Sequence, residues 1–261
     1  MITFTSAQLN ALISAFIFPL ARVLALLAAA PPFNNAVLPV RVRLILGLAI
    51  TLALAPGVAP SPAASAVAPA SGAGLLILAE QMLIGYAMGF AMRLVFSAVD
   101  LAGNIFSTQM GLGFATNYDP TGASQTPVIS EILSILTLLI FLAIDGHLMV
   151  LSVLAQSFQT LPIGTLPGSA SWANIANAGV IVFSGGLLLA LPIIVTLLIT
   201  NTALGVLGRV SPQLNLIVIG FPLTITLGFL ALYLCLPYLI PPLMQLFETG
   251  LQSMQGVFVM R

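Results

Sequence analysis

Lysine is absent from this 261-residue chain, and its six arginines are balanced by six acids. Nucleic-acid binding rests on clustered positive charge that neutralises phosphates, so that class of partner is excluded. The chain has one cysteine, Cys235, and one histidine, His147. An internal disulfide is therefore impossible, and no metal site of the usual ligand spacings can be assembled. Without lysine, the glycines between residues 109 and 127 cannot be a nucleotide-phosphate loop, which ends in Gly-Lys-Ser/Thr. Charged residues amount to 5% and hydrophobic ones to 60%, whereas a soluble domain carries roughly 25% charged. With a mean hydropathy of +1.18, the composition is that of a membrane-type protein, and it offers neither a cofactor motif nor a catalytic constellation.

Apolar segments follow one another along the chain. The first, Ala11 to Ala30, is about 20 residues, enough to cross a ~30 Å hydrocarbon layer as a helix, with Pro19 expected to bend it. No basic residue precedes this run and Arg22 lies inside it, the reverse of a signal peptide, so the segment reads as retained despite the small residues Ala28, Ala29 and Ala30. Pro39-Val40-Arg41-Val42-Arg43 leads into a second segment, Leu44 to about Ala59, and Arg41 with Arg43 marks the cytoplasmic side. Residues 56–74, rich in Pro, Ala, Ser and Gly, read as a linker.

A third segment, Leu75 to about Thr108, carries Glu80, Arg93 and Asp100. Gly85 and Gly89, with Ala87 and Ala91, place small residues at four-residue spacing, the pattern that lets helix backbones approach closely. The fourth, Val128 to about Phe158, has Glu131 near its start and Asp145-Gly146-His147 in its middle. A Pro/Gly/Ser stretch, Leu161 to Ser171, precedes Trp172, which suits a membrane interface. Two final runs, Ala173 to Thr200 and Leu214 to Phe247, read as a helical hairpin whose turn, Asn201 to Gln213, holds Arg209 on the side of Arg41 and Arg43. Pro192, Pro222, Pro237, Pro241 and Pro242 predict bent helices that need neighbours to satisfy freed backbone groups. Residues 248–261 read as a short amphipathic end. About six long, kinked helical spans result, an all-α polytopic fold.

Between the third and fourth segments lies Gln109 to Pro127, with three glycines, one acid and no basic residue. Met110, Leu112, Phe114 and Tyr118 make it too apolar for an ordinary surface loop. On the residues alone, Met110 and Phe114 fit a plug and a buried anchor equally well. Glu80, Arg93, Asp100, Glu131 and Asp145 are costly in a membrane and mark function or paired packing; polar contacts between helices or subunits are favoured over proton flow. His147 could respond to pH by its reference pKa, but a satisfied interior group is favoured.

Three separated stretches carry a resemblance. Pro39 to Arg43, Gln109-Met110-Gly111-Leu112-Gly113-Phe114-Ala115, and the run from Ser211, Pro212, Gln213 and Asn215 through Gly220 to Pro222 resemble the FliR/SctT family of bacterial type III protein export gates. Segment order and length agree over nearly the whole chain, and Asn117-Tyr118-Asp119-Pro120 has a flagellar flavour. The resemblance implies an inner-membrane subunit at the flagellar basal body, partly above the bilayer plane. Residues 1–170 would resemble the P-type gate subunit and 171–261 the Q-type. One copy would join several copies of each, and other export apparatus proteins, around a pore for unfolded secreted proteins. It also implies that Met110, Gly111, Leu112, Gly113 and Phe114 fill the constriction, with Ala115 and Thr116 leading to a turn at Asn117, Tyr118, Asp119 and Pro120. Energy would come from elsewhere.

Two rival classes remain in view. An intramembrane aspartyl protease needs a second aspartate in its glycine motif, where this chain has Phe114. A secondary transporter for a small solute would use the broken helices and buried acids, but no internal repeat relates the halves.

Overall fold

A computed structural model describes residues 6–34, 38–58, 67–112, 127–211 and 216–258. Helix makes up 87% of these residues, and no strand occurs among them. The helices are α1 (Ser6–Ala29), α2 (Val40–Leu54), α3 (Gly72–Gln109), α4 (Val128–Ala143), α5 (Gly146–Thr160), α6 (Ser169–Ala178), α7 (Val180–Val210) and α8 (Leu216–Gln255). Single turns at Ala55–Gly57 and Gly256–Phe258 extend α2 and α8. Among the described residues, five stretches are long and apolar enough to cross a membrane, or six if the broken pair α4 and α5 counts as one. At a rise of 1.5 Å per residue, the 38 residues of α3 and 40 of α8 run to about 57 and 60 Å, roughly twice the hydrocarbon thickness.

The sequence-derived segments hold in order; the run Ala173 to Thr200 is divided at Gly179 between α6 and α7, and three further differences stand out. The fourth is interrupted at Asp145, which takes φ 56° and so ends one helix turn and starts the next; a short polar side chain tolerates this left-handed conformation better than most. Gly146 follows under the ring of Phe141, where a Cβ would collide. Second, α7 continues through Asn201 and Gly205 to Val210, past the expected turn. No proline stops it, and Thr196, Thr200 and Thr202 donate their hydroxyls to the carbonyls of Pro192, Thr196 and Leu198 at 2.8, 2.9 and 2.8 Å, disposing of polar groups within the helix. Third, α8 runs on to Gln255 instead of stopping at Phe247.

The chain forms two compact units, each drawn from separated stretches. In the first (1–94, 141–179 and 247–261), α1 packs on α2 and on the early part of α3. The expected small-residue contact is there: a Cβ on Gly85 would overlap the Arg22 carbonyl oxygen, and one on Gly89 would lie 2.7 Å from Ala29 Cβ and 2.8 Å from Leu26 O. Leu26, Ile84, Met88 and Leu154 are fully buried, and Phe141 meets Phe247 at 5.2 Å between ring centroids. In the second (95–140 and 180–246), Val99, Phe106, Leu133, Leu189 and Leu243 surround a small apolar cavity. Gly186 lies on the carbonyl of Ala98, where a Cβ would stand 2.8 Å away.

Candidate functional site

The glycine-rich loop leaves α3 through a defined structure. Leu112 N–H donates to Ser107 O at 2.9 Å, and Gly111 N–H donates to Thr108 O at 3.1 Å. These two bonds, with Gly111 at φ +80°, make a Schellman ending, which uses glycine because other residues pay a steric penalty at positive φ. Met110, just before it, is 1% exposed. Its side chain occupies the space a Cβ on Gly228 of α8 would need, with Met110 Cγ 2.6 Å from that position. Phe221 of α8 stands beside Gly111, its ring 3.3 Å from where a Cβ would be. Met110 is thus packed inside this unit, at the root of the loop; Leu112 is half-buried, and Gly113 to Pro120 lie outside the described residues.

Below this root, α3 and α4 meet along a polar seam. Gly103 lets the backbones touch, since a Cβ there would overlap Ser130. Ser130 donates its hydroxyl to the backbone oxygen of Asp100 at 3.2 Å, and Ser134 donates to the Asp100 carboxylate Oδ1. Asn104 Nδ2 donates to Asp100 O at 2.8 Å, and Thr108 Oγ1 to Asn104 O at 2.8 Å. Asp100, Asn104, Thr108 and Glu131 are exposed. Asp100 thus accepts from both Ser130 and Ser134 of α4, and the polar residues of the seam on α3 follow a spacing of three and four from Ser97 to Thr108.

Sequence reasoning saw Arg22 only as a flaw in a signal peptide. It is fully buried. Its Nε donates to Gln81 Oε1 at 2.8 Å, Nη1 to Ser157 O at 3.0 Å and Ser157 Oγ at 3.1 Å, and Nη2 to Leu161 O at 3.0 Å. The guanidinium carbon lies 4.4 Å from the centroid of the Phe158 ring, a cation over an aromatic face. Ser157 and Leu161 end α5, so the cation sits where the helix dipole favours one. No acid pairs with Arg22 among the described residues. The signal available was an arginine inside an apolar run, which usually marks a specific role.

The remaining candidates are scattered. Arg41, Arg93, Asp145 and Arg209 are exposed. Glu80, Arg43 and His147 are half-buried, and Glu80 Oε2, Arg43 Nε and His147 Nδ1 are buried without a hydrogen-bond partner among the described residues. No group of His, Cys, Asp and Glu among those residues could hold a metal. Ser211 N–H closes α7 by donating to Leu207 O at 2.9 Å. Gly220 is buried, and Pro222 accepts from Thr226 Oγ1 at 2.7 Å. Pro212, Gln213 and Asn215 lie outside the described residues.

A family model described as bacterial export proteins, family 1, matches residues 13–250. The chain belongs to that family. Among export proteins of family 1, it is 45% identical to the flagellar biosynthetic protein FliR of Pectobacterium carotovorum over 243 residues, covering 93% of this chain and 91% of the relative. It is 43% identical to the protein of the same name from Escherichia coli K12, over 92% and 91% of the two chains. More distantly, the FliR of Bacillus subtilis is 27% identical over 71% of this chain and 73% of its own length.

Proposed function

We propose that the chain is a subunit of the flagellar type III protein export gate, residing in the bacterial inner membrane at the flagellar basal body. The observation that carries this is the likeness to FliR proteins at 45% and 43% identity over more than nine-tenths of both chains. In this reading the chain assembles with several copies each of a P-type and a Q-type subunit, residues 1–170 taking the P-like part and 171–261 the Q-like part. Together they surround a conduit for unfolded export substrates. The loop following Leu112 closes that conduit, and Met110 with Gly111 fixes where the loop begins.

The lengths of α3 and α8 support placing part of the assembly above the bilayer plane, because helices of about 57–60 Å exceed a single crossing. Many large apolar side chains are exposed on the isolated chain, among them Phe183, Tyr233 and Tyr238 at 72%, 72% and 78%; neighbouring subunits and lipid would cover them. The deciding experiment is purification of the tagged chain, co-expressed with the P-type and Q-type subunits, after mild detergent extraction. Stable copurification of both is the expected result. A chain that purifies alone and moves a small solute in liposomes would replace this reading.

A further inference from the structure

Of the five unbroken apolar stretches among the described residues, α2 with its terminal turn is the least covered by its own chain. Only Gly47 and Thr51 are buried in α2. Gly47 lies against Leu24 of α1, with which a Cβ there would collide, and Thr51 donates its hydroxyl to Gly47 O at 2.7 Å. One side of the helix is therefore taken by α1. The other is open: Val42, Leu44, Ile45, Leu46, Leu48 and Leu52 are all exposed, Ile45 and Leu52 at 67% and 62%. At 3.6 residues per turn these six spread over roughly 200° of the circumference.

Length and charge together say what covers that side. From Val40 to Gly57 the 18 residues rise about 27 Å, close to the ~30 Å of a hydrocarbon layer. From Leu44 to Gly57 there is no charged residue, and the only polar side chain is Thr51, already satisfied within its own helix. Arg41 and Arg43 stand at one end of this rod. Arg41 is exposed, Arg43 is half-buried with its Nε unpartnered, and neither has an ion-pair partner among the described residues. The helix itself gains nothing from them, since its dipole favours anions at the N-terminus and Pro39 at the N-cap supplies no side-chain cap. Two cations without an acid, at the positive end of an apolar helix of bilayer length, are complementary to phosphate-bearing headgroups, which put negative charge at the level where the hydrocarbon begins.

We propose that α2 docks on lipid, its open side among the acyl chains and Arg41 with Arg43 drawing anionic phospholipid headgroups in preference to zwitterionic ones. Arg41 meets the headgroups directly, and half-buried Arg43 adds its charge to the same end. The α2 edge of the chain is then a boundary with the bilayer and not with another subunit. This inference rests on membrane residence alone and is independent of what the conduit carries.

The test uses the full chain, extracted from its native membrane in the assembly it forms there, in a Cys235→Ser background. A small thiol-reactive fluorophore is placed at Leu44→Cys, three residues from Arg41, or at Leu52→Cys, and the assembly is reconstituted into phosphatidylcholine vesicles in which a fixed fraction of the lipid carries brominated acyl chains. Bromine quenches on contact, so quenching is expected at both positions; its absence at both would show that protein or water covers α2 and would overturn the docking. The brominated lipid is then either phosphatidylglycerol or phosphatidylcholine at the same mole fraction. At Leu44→Cys the phosphatidylglycerol is expected to be enriched at least about twofold over its bulk fraction. Arg41→Gln with Arg43→Gln should remove the enrichment, and Arg41→Lys with Arg43→Lys should keep most of it. Equal quenching by the two lipids with both arginines present, or enrichment that survives the double glutamine variant, would overturn the headgroup preference. Should the double variant fail to assemble, Arg41→Gln alone and high salt decide the same point, because each must lower the enrichment.

Discussion

Arg22 and Gln81, both fully buried, are joined by a 2.8 Å hydrogen bond from Nε to Oε1, and Gln81 Nε2 has no partner among the described residues. A guanidinium in an apolar unit is here neutralised by carbonyl dipoles and an aromatic face instead of a carboxylate. That makes the arrangement dependent on the arginine fork. Arg22→Ala leaves Gln81 Oε1 and Leu161 O without their donor, while Ser157 O still accepts from Leu161 N–H at 2.9 Å. Each orphaned buried acceptor costs about 1–3 kcal/mol. The thermal midpoint of the purified protein in detergent is expected to fall by roughly 5 °C or more, and Arg22→Lys should recover less than half of the loss, since one ammonium cannot reach the acceptors on both α3 and the end of α5. Gln81→Glu, which removes the orphaned amide and supplies the missing negative charge, is expected to raise the midpoint. A lower midpoint for Gln81→Glu would show that the neutral arrangement is the preferred one.

Gly85 and Gly89 give a second prediction. A methyl group at Gly85 meets the backbone oxygen of Arg22, and one at Gly89 lies 2.7 Å from Ala29 Cβ; backbone cannot move aside as a flexible side chain can. Gly85→Ala and Gly89→Ala are each expected to destabilise by about 1–3 kcal/mol. Gly205, in α7, has nothing within 4 Å of a built Cβ, so Gly205→Ala should be neutral or stabilising by up to about 1 kcal/mol from helix propensity. Denaturation of the three variants side by side distinguishes close packing from a general effect of losing glycine. Equal effects at all three sites would remove the packing argument.

These elements were unequally legible in the sequence. The close approach at Gly85 and Gly89 was visible because small residues at four-residue spacing have one common use. The Arg22 site was not, since its acceptors come from 59, 135 and 139 positions downstream, and two of them are main-chain carbonyls that every residue carries. Met110 was recognised as an unusual apolar residue at the loop, but its seat is Gly228, an absent side chain in another helix, which hydropathy cannot register. The break at Asp145 was hidden for a different reason. Apolar residues continue on both sides of it, and only the backbone angle of a single residue separates α4 from α5. The strip at Asp100, Asn104 and Thr108 had a readable period, but treating its acid as an isolated cost concealed the face it belongs to.

Asp145 provides the third prediction. It is exposed, stands at φ 56° before α5 and makes no side-chain capping bond, which favours a conformational role over proton conduction. Asp145→Gly and Asp145→Asn fit the left-handed backbone and are expected to preserve both stability and export. Asp145→Val, branched at Cβ, should cost about 1–2 kcal/mol and reduce the amount of assembled protein. Export would be measured as flagellar filament protein reaching the medium. Loss of export in Asp145→Asn with normal assembly would point to the carboxylate itself.

The fourth prediction concerns Met110 at the loop root. Removing its side chain vacates the space over Gly228 and should cost about 2–5 kcal/mol, whereas Met110→Leu, of similar volume, should cost less than about 1.5 kcal/mol. Gly228→Ala can be absorbed by a shift of the flexible methionine, but Gly228→Leu must expel it. If the start of the loop sets where the loop lies, Met110→Ala and Gly228→Leu will leak small ions, while Met110→Leu and Gly228→Ala will not. Replacing residues 113–120 with glycines gives the reference for an unclosed conduit, read as membrane conductance in an assembled complex. Were that reference to conduct while Met110→Ala and Gly228→Leu stayed tight, the loop would close without its anchor, and the packing of Met110 would serve the stability of α3 against α8 alone.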